Sequence, residues 1–247
     1  MADTPRRASF PTTRITLIHA ARSGEGPQAQ EALSALCLAY WYPIYAFVRR
    51  LGHSADEAED LTQGFFTRVL QKSYLGDFQA ERGRFRSFLL AAVKHFIANE
   101  RSSARALKRG GARPALPLDD LLREAERRYS LEPRDSLTPE RIFERQWAMA
   151  VLTRVFDHLQ EEAVASGKRA QFDRLKGLLV GEDDDIGYRA LAAELDTTEG
   201  ALKTAIHRLR QRFKEQLREE ISHTVSNPAD VGDEVRYLLA ALRASGQ

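Results

Sequence analysis

Gly187-Tyr-Arg-Ala-Leu-Ala-Ala-Glu-Leu-Asp-Thr-Thr-Glu-Gly-Ala-Leu-Lys-Thr-Ala-Ile-His-Arg-Leu-Arg-Gln-Arg-Phe213 is the stretch whose reading decides the fold. Leu191, Ala192 and Leu195 give a first short helix one apolar face. Thr198 offers a hydroxyl to cap a second helix. Leu202, Ile206, Leu209 and Phe213 then recur at i, i+4, i+7 and i+11, a single stripe that docks on the first helix. The connection is too short for anything but a steep crossing, which is helix-turn-helix geometry. Glycine is frequent in such turns; Asp196 stands here, and aspartate tolerates the left-handed backbone better than most residues.

The other side of the second helix is basic, with Lys203, His207, Arg208, Arg210, Arg212 and Lys214. Glu199 to Arg218 holds six Lys/Arg against two Glu, a local +4 in a chain whose net charge is only +2. Such cations meet phosphates and release counterions, while the first turns of the helix can reach base edges in the major groove. A solvated basic helix in an ordinary helical hairpin is the plainer alternative.

Outward from this motif every periodic segment is helical. Apolar residues at Leu33, Leu36, Tyr40, Ile44, Phe47, Val48 and Leu51 predict a helix from about 29 to 51, with Gly52 at its C-terminal end. Ser54 with Glu57 three residues on is a capping-box pattern, opening a helix to about Leu70 with a Leu61, Phe65, Phe66, Val69 stripe. Residues 76–84 read as a loop, and a third helix runs from about Phe85 to Leu107, stopped by Gly110-Gly111. Glycines and prolines mark 112–138 as a linker, interrupted by a short helix at 119–129. Thr138-Pro139 opens the next helix, whose apolar face includes Ile142, Val151, Leu152, Val155, Phe156 and Leu159. A shorter helix follows at about 169–180, and an amphipathic segment, Val231–Leu242, lies near the end. No alternating β-branched run occurs. The expected fold is all-α: two helical domains joined by a linker, the C-terminal one a helix-turn-helix.

Charge is patterned in the N-terminal half too. Arg84 to Arg113 carries eight Lys/Arg opposed only by Glu100, interleaved with Phe85, Phe88 and Phe96 and preceded by Phe78. Cations with aromatic platforms suit single-stranded nucleic acid. Phe88 and Phe96 share a stripe with Leu89 and Val93, which assigns them to the core. Asp56-Glu-Ala-Glu-Asp60 packs four acids into five residues. They complement a helix dipole, or form a docking face for a basic protein partner; no histidine or distant carboxylate pattern completes a metal set.

Other classes find little support. The single Cys37 rules out an internal disulfide framework and a cysteine-rich zinc site, and sits in an apolar run as a small buried side chain. No apolar run approaches the ~18 residues of a membrane span, and no signal-peptide core follows the N-terminal arginines, which predicts a cytoplasmic protein. His19, His53, His95, His158, His207 and His223 are scattered, and no glycine-rich phosphate loop occurs, so neither an enzyme nor a cofactor is expected.

Two further stretches carry a resemblance. Ala58-Glu-Asp-Leu-Thr-Gln-Gly-Phe-Phe-Thr-Arg-Val-Leu70 resembles region 2.2 of the sigma-70 family of RNA polymerase sigma factors. Phe85-Arg-Ser-Phe-Leu-Leu-Ala-Ala-Val-Lys-His-Phe-Ile-Ala-Asn-Glu-Arg101 resembles regions 2.3 and 2.4, with Phe88 where tryptophan is usual. The motif at 187–213 resembles region 4.2, and the order matches the compact extracytoplasmic-function (ECF) type. The division this implies is a tail with a short helix at 1–28, a region 2-like domain at 29–111, a linker at 112–138, a region 4-like domain at 139–219 and a helical extension at 220–247. That extension lies outside the family pattern; it packs on the second domain or makes a regulatory contact.

The resemblance implies a role for each surface. Asp56, Glu59, Asp60 and Gln63 would dock on the beta-prime clamp helices of core RNA polymerase, and the second domain would touch the beta flap. Phe78, Arg84, Phe85, Arg86, Lys94, Asn99, Arg101, Arg105, Lys108 and Arg109 would bind and melt the −10 element of promoter DNA. Thr198, Glu199, Gly200, Lys203, Thr204, His207, Arg208 and Arg210 would read the −35 element. An anti-sigma factor or other regulator is a further partner this type of protein takes. The competing expectation is a helix-turn-helix transcriptional regulator that never binds polymerase.

Overall fold

The structure is a computed structural model that describes residues 27–70, 84–104, 119–131, 137–179, 187–225 and 227–243; the side chains of 27–38, 70, 101–104 and 119–123 are not described. Among the described residues there are helices and no strands. In chain order they are α1 (Pro27–Arg50), α2 (Ala55–Leu70), α3 (Phe85–Ala104), α4 (Asp119–Ser130), α5 (Pro139–Ala165), α6 (Arg169–Leu175), α7 (Tyr188–Glu194), α8 (Glu199–Ser222) and α9 (Val231–Arg243). Of the tail with a short helix expected at 1–28, residues 1–26 lie outside the described residues.

The chain divides into two compact units: Val151–Ile221, and the described residues of Phe10–Ala150 with Ser222–Gln247. One boundary therefore falls inside α5, although the composition break lies ahead of it. Proline and glycine mark where a helix stops, not where packing changes.

In the unit containing α1, residues 39–48 are buried on every side, so this stretch of α1 is a central helix. Pro43 sits inside it and has no N–H for the Ala39 carbonyl. The burial of Tyr40, Ile44, Tyr45, Phe47 and Val48 around it outweighs that loss. Gly52 ends the helix at φ 93°, donating to the Arg49 carbonyl, as expected of its position. α2 and α4 pack on α1. The capping box forms: the Ser54 amide donates to Glu57, and the Glu57 amide donates to the Ser54 hydroxyl at 3.2 Å.

The 112–138 segment is more than a linker, because α4 is fastened to α1. Arg49 donates to both Glu126 oxygens at 2.9 and 3.0 Å, and the Tyr45 hydroxyl donates to the same carboxylate. Arg49 lies 4.9 Å from the Tyr129 ring centre, and Arg128 lies 3.9 Å from that of Tyr42. Burial works to raise the Glu126 pKa, but the hydrogen bonds from Tyr45 and Arg49 outweigh it and hold it below the ordinary 4.5. A depressed carboxylate pKa stabilises the fold above about pH 4.5 and ceases to as pH falls through the lower folded value. Wild type should therefore lose more thermal stability between pH 5 and pH 3 than Glu126→Gln. Parallel losses would show that this carboxylate does not hold α4.

In the other unit, α5 stops in a left-handed turn at Gly167, φ 69°, with the Lys168 amide reaching back to the Ala163 carbonyl. α7 ends the same way. Asp196 has φ 48°, its amide donates to Ala193 and that of Thr197 to Ala192, which is a Schellman turn built on aspartate. The Thr198 hydroxyl then caps α8 by accepting from the Ala201 amide at 3.2 Å. Leu202 and Ile206 form a buried cluster with Ala192 and Leu175; Leu191, Leu195 and Leu209 pack against it. Because a β-branched residue is strained at positive φ, Asp196→Val should cost about 1–2 kcal/mol in urea unfolding. Asp196→Gly should cost nothing; equal losses for both would contradict the turn.

Candidate nucleic-acid interface

Two surfaces gather polar and basic residues, one in each unit. On α8 the first turns are exposed, with Glu199, Lys203 and His207 along one flank and Gly200, Thr204 and Arg208 along the other. Lys203 pairs with Glu199 at 2.7 Å and lies 5.0 Å from the Tyr188 ring centre. The hydrogen bond between them raises the pKa of Lys203 and lowers that of Glu199. An exposed pair of this kind is weak and exchanges readily for a phosphate. Thr204 donates to the Gly200 carbonyl at 2.9 Å. Gly200, Thr204 and Arg208 also line an open groove of about 570 Å³ whose walls include Phe172, Leu175 and Leu209.

The basic face is narrower than a charge count suggests. Arg210 is half-buried and donates twice to the Leu178 carbonyl, at 2.9 and 3.1 Å, so its guanidinium is engaged within the unit. Arg212 is held by Glu162, whose hydrogen bond keeps the guanidinium pKa above its usual value. Arg189, exposed on α7 and near enough to lower the Glu199 pKa, adds positive charge that reading α8 alone missed.

In the other unit α2 turns Ala58, Thr62, Phe65, Phe66 and Val69 inward. Asp56 and Asp60, one turn apart, are exposed, with Glu59 and Gln63 half-buried beside them. The four expected docking residues therefore share the outer side of one helix. Among the described residues no group of His, Cys, Asp or Glu could hold a metal ion.

On α3 the exposed residues Ser87, Ala91, Lys94, His95, Ala98 and Asn99 form one stripe. Lys94 pairs with Glu140 at 2.6 Å, and this hydrogen bond lowers the Glu140 pKa. Asn99 lies 3.2 Å from the His95 ring nitrogen, which adds a residue the sequence reading left out. Glu100 bonds Arg68 of α2, so it does not neutralise the basic residues of its own helix.

Two expected −10 contacts are not on this stripe. Phe85 is 2% exposed, edge-on to Tyr40 at 5.5 Å, and is part of the core. Arg86 is 6% exposed and held by Glu234 of α9; Arg84, about one-third exposed, shares that carboxylate. Phe96 is core, as its stripe predicts, and Phe88 is half-buried against Phe85. Arg101 lies on α3 without a described side chain, and Phe78, Arg105, Lys108 and Arg109 lie outside the described residues.

Comparison with known proteins bears on the second unit. Residues 38–107 match the family model of sigma-70 region 2, which supports a sigma factor of the sigma-70 family. No curated protein and no solved structure matched the chain.

Proposed function

We propose that this chain, with its sigma-70 region 2 match, is a sigma factor of the ECF type that recruits core RNA polymerase to promoters and catalyses nothing itself. The observation that carries this reading is the match over residues 38–107, because both the acidic face of α2 and the polar stripe of α3 lie within it. The α2 face, with Asp56, Glu59, Asp60 and Gln63, docks on the beta-prime clamp helices. Lys94, Asn99, Arg101 and the basic residues that follow hold the −10 strand.

α7 and α8 serve as the helix-turn-helix, as the Schellman turn at Asp196, the Thr198 cap and the buried cluster beneath them support. The exposed first turns of α8 read the −35 element, and their unit contacts the flap. Such a protein works in the cytoplasm; no described helix is long and apolar enough to cross a membrane. An anti-sigma factor or similar regulator would control it from outside the chain.

Run-off transcription with purified core polymerase on a promoter library tests the reading. Transcripts should start a fixed distance downstream of a shared two-part sequence. DNA binding without polymerase binding would instead make the chain a helix-turn-helix regulator. Within this reading, Lys203→Ala and Arg208→Ala each weaken −35 binding and lower its salt slope by about 1, since each removes one phosphate contact. Unchanged slopes would move the recognition face elsewhere.

A further inference from the structure

The amphipathic segment near the end of the chain packs in the unit of α1–α4. α9 inserts Leu238 and Ala241 into the core and, beside them, buries an acid. Glu234 is 1% exposed. One of its oxygens accepts from Arg86 Nε at 2.7 Å; the other accepts from Arg86 Nη2 at 3.1 Å and pairs with Arg84 Nε at 2.6 Å. Tyr237, almost one turn on, places its ring centre 3.8 Å from the Arg86 guanidinium, with Trp147 at 4.9 Å. The Tyr237 hydroxyl is hydrogen-bonded to Glu144. Burial works to lower the Arg86 pKa, yet the bond and charge of Glu234 outweigh it.

An anion bridging two guanidiniums with an aromatic ring against one of them is what a nucleotide offers to arginines: a phosphate to pair with and a base to stack on. Arg84 and Arg86 open the helix that carries the Lys94–Asn99 stripe. We propose that α9 is an intramolecular competitor of the −10 strand, with Glu234 and Tyr237 occupying Arg84 and Arg86 until promoter DNA displaces them. This rests on the reading of α3 as the −10 surface.

The physical case is an exchange of like for like. Desolvation offsets most of the attraction within a buried ion pair, so its net stabilisation is small. A phosphate restores every hydrogen bond that Glu234 gives up. The arginines are then available only in the fraction of molecules in which α9 is undocked, and apparent DNA affinity falls by that fraction. The same contact explains why Arg86 is covered, and Arg84 partly so, in the chain without DNA.

The test uses the full chain carrying Glu234→Gln, which keeps the side-chain shape and removes its charge. Binding to a labelled single-stranded oligonucleotide of the −10 sequence, and run-off transcription with core polymerase, are compared with wild type. If α9 covers the arginines about nine-tenths of the time, both rise roughly tenfold. A purely structural Glu234 predicts the opposite, a loss of stability and activity together.

Hydrogen exchange on the wild type covers the case of a poorly folded variant. The α9 amides should lose protection when the oligonucleotide binds; protection retained with DNA bound overturns the proposal. Wild-type transcription that Glu234→Gln leaves unchanged overturns it alone. Absence of transcription from the wild type overturns the function reading, and this inference with it.

Discussion

If α2 docks on polymerase as proposed, Asp60→Lys should remove capture of core RNA polymerase, lowering affinity by a hundredfold or more, while the isolated −35 duplex binds as before. Asp60 is exposed on α2, one turn after Asp56, and the buried side of that helix is formed by Ala58, Thr62, Phe65, Phe66 and Val69. The substitution leaves that packing alone, so the fold should survive it. Its effect falls on the partner. Setting a like charge against a basic docking surface costs several kcal/mol, and about 3 kcal/mol is a factor of more than a hundred in Kd. Fluorescence anisotropy with labelled chain and purified core polymerase measures it, with a thermal melt to show that the fold is intact. Equal affinity for variant and wild type would refute the docking face.

Leu202→Ala has the larger effect on the fold. Leu202 is 1% exposed, at the centre of the cluster with Leu175, Ala192 and Ile206 on which α8 rests. Removing its side chain costs about 2–5 kcal/mol in lost transfer energy and residual cavity. A whole domain is stable by only about 5–15 kcal/mol, so much of this unit's stability disappears. At 37 °C, −35 binding should be lost through melting and return on cooling or at saturating DNA, which binds only the folded form. Arg208→Ala separates the causes, because it weakens binding with an unchanged melt. An unchanged melt for Leu202→Ala would mean that α7 and α8 are held by something other than this cluster.

Local signals in the sequence describe local structure well. Ser54 with Glu57, Thr138 before Pro139, and Thr198 before Glu199 each form the cap their residue types dictate. Gly52 and Asp196 adopt the left-handed backbone their positions require. Phe96 joins the core because its helical period places it there.

Contacts between distant charges are what the sequence does not disclose. Arg86 and Glu234 are 148 residues apart, and no periodicity connects them. α4 reads as part of a linker because the described contacts that fasten it to α1 are an ion pair between residues 77 apart, three tyrosines and one buried alanine. Counting basic residues likewise overstates the basic surface open to solvent. A guanidinium used inside the fold, such as Arg210 on the Leu178 carbonyl or Arg212 on Glu162, counts the same as one in solvent.

Site-specific photo-crosslinking in the assembled complex of this chain, core polymerase and promoter tests the central claim most directly. A probe at His207 on α8 and a second at Ser87 on α3 should label two separate DNA segments, the −35 duplex and the −10 strand, and only when polymerase is present should the second appear at full strength. Labelling of a single segment from both positions, or none from α3 while transcription proceeds, would contradict the account.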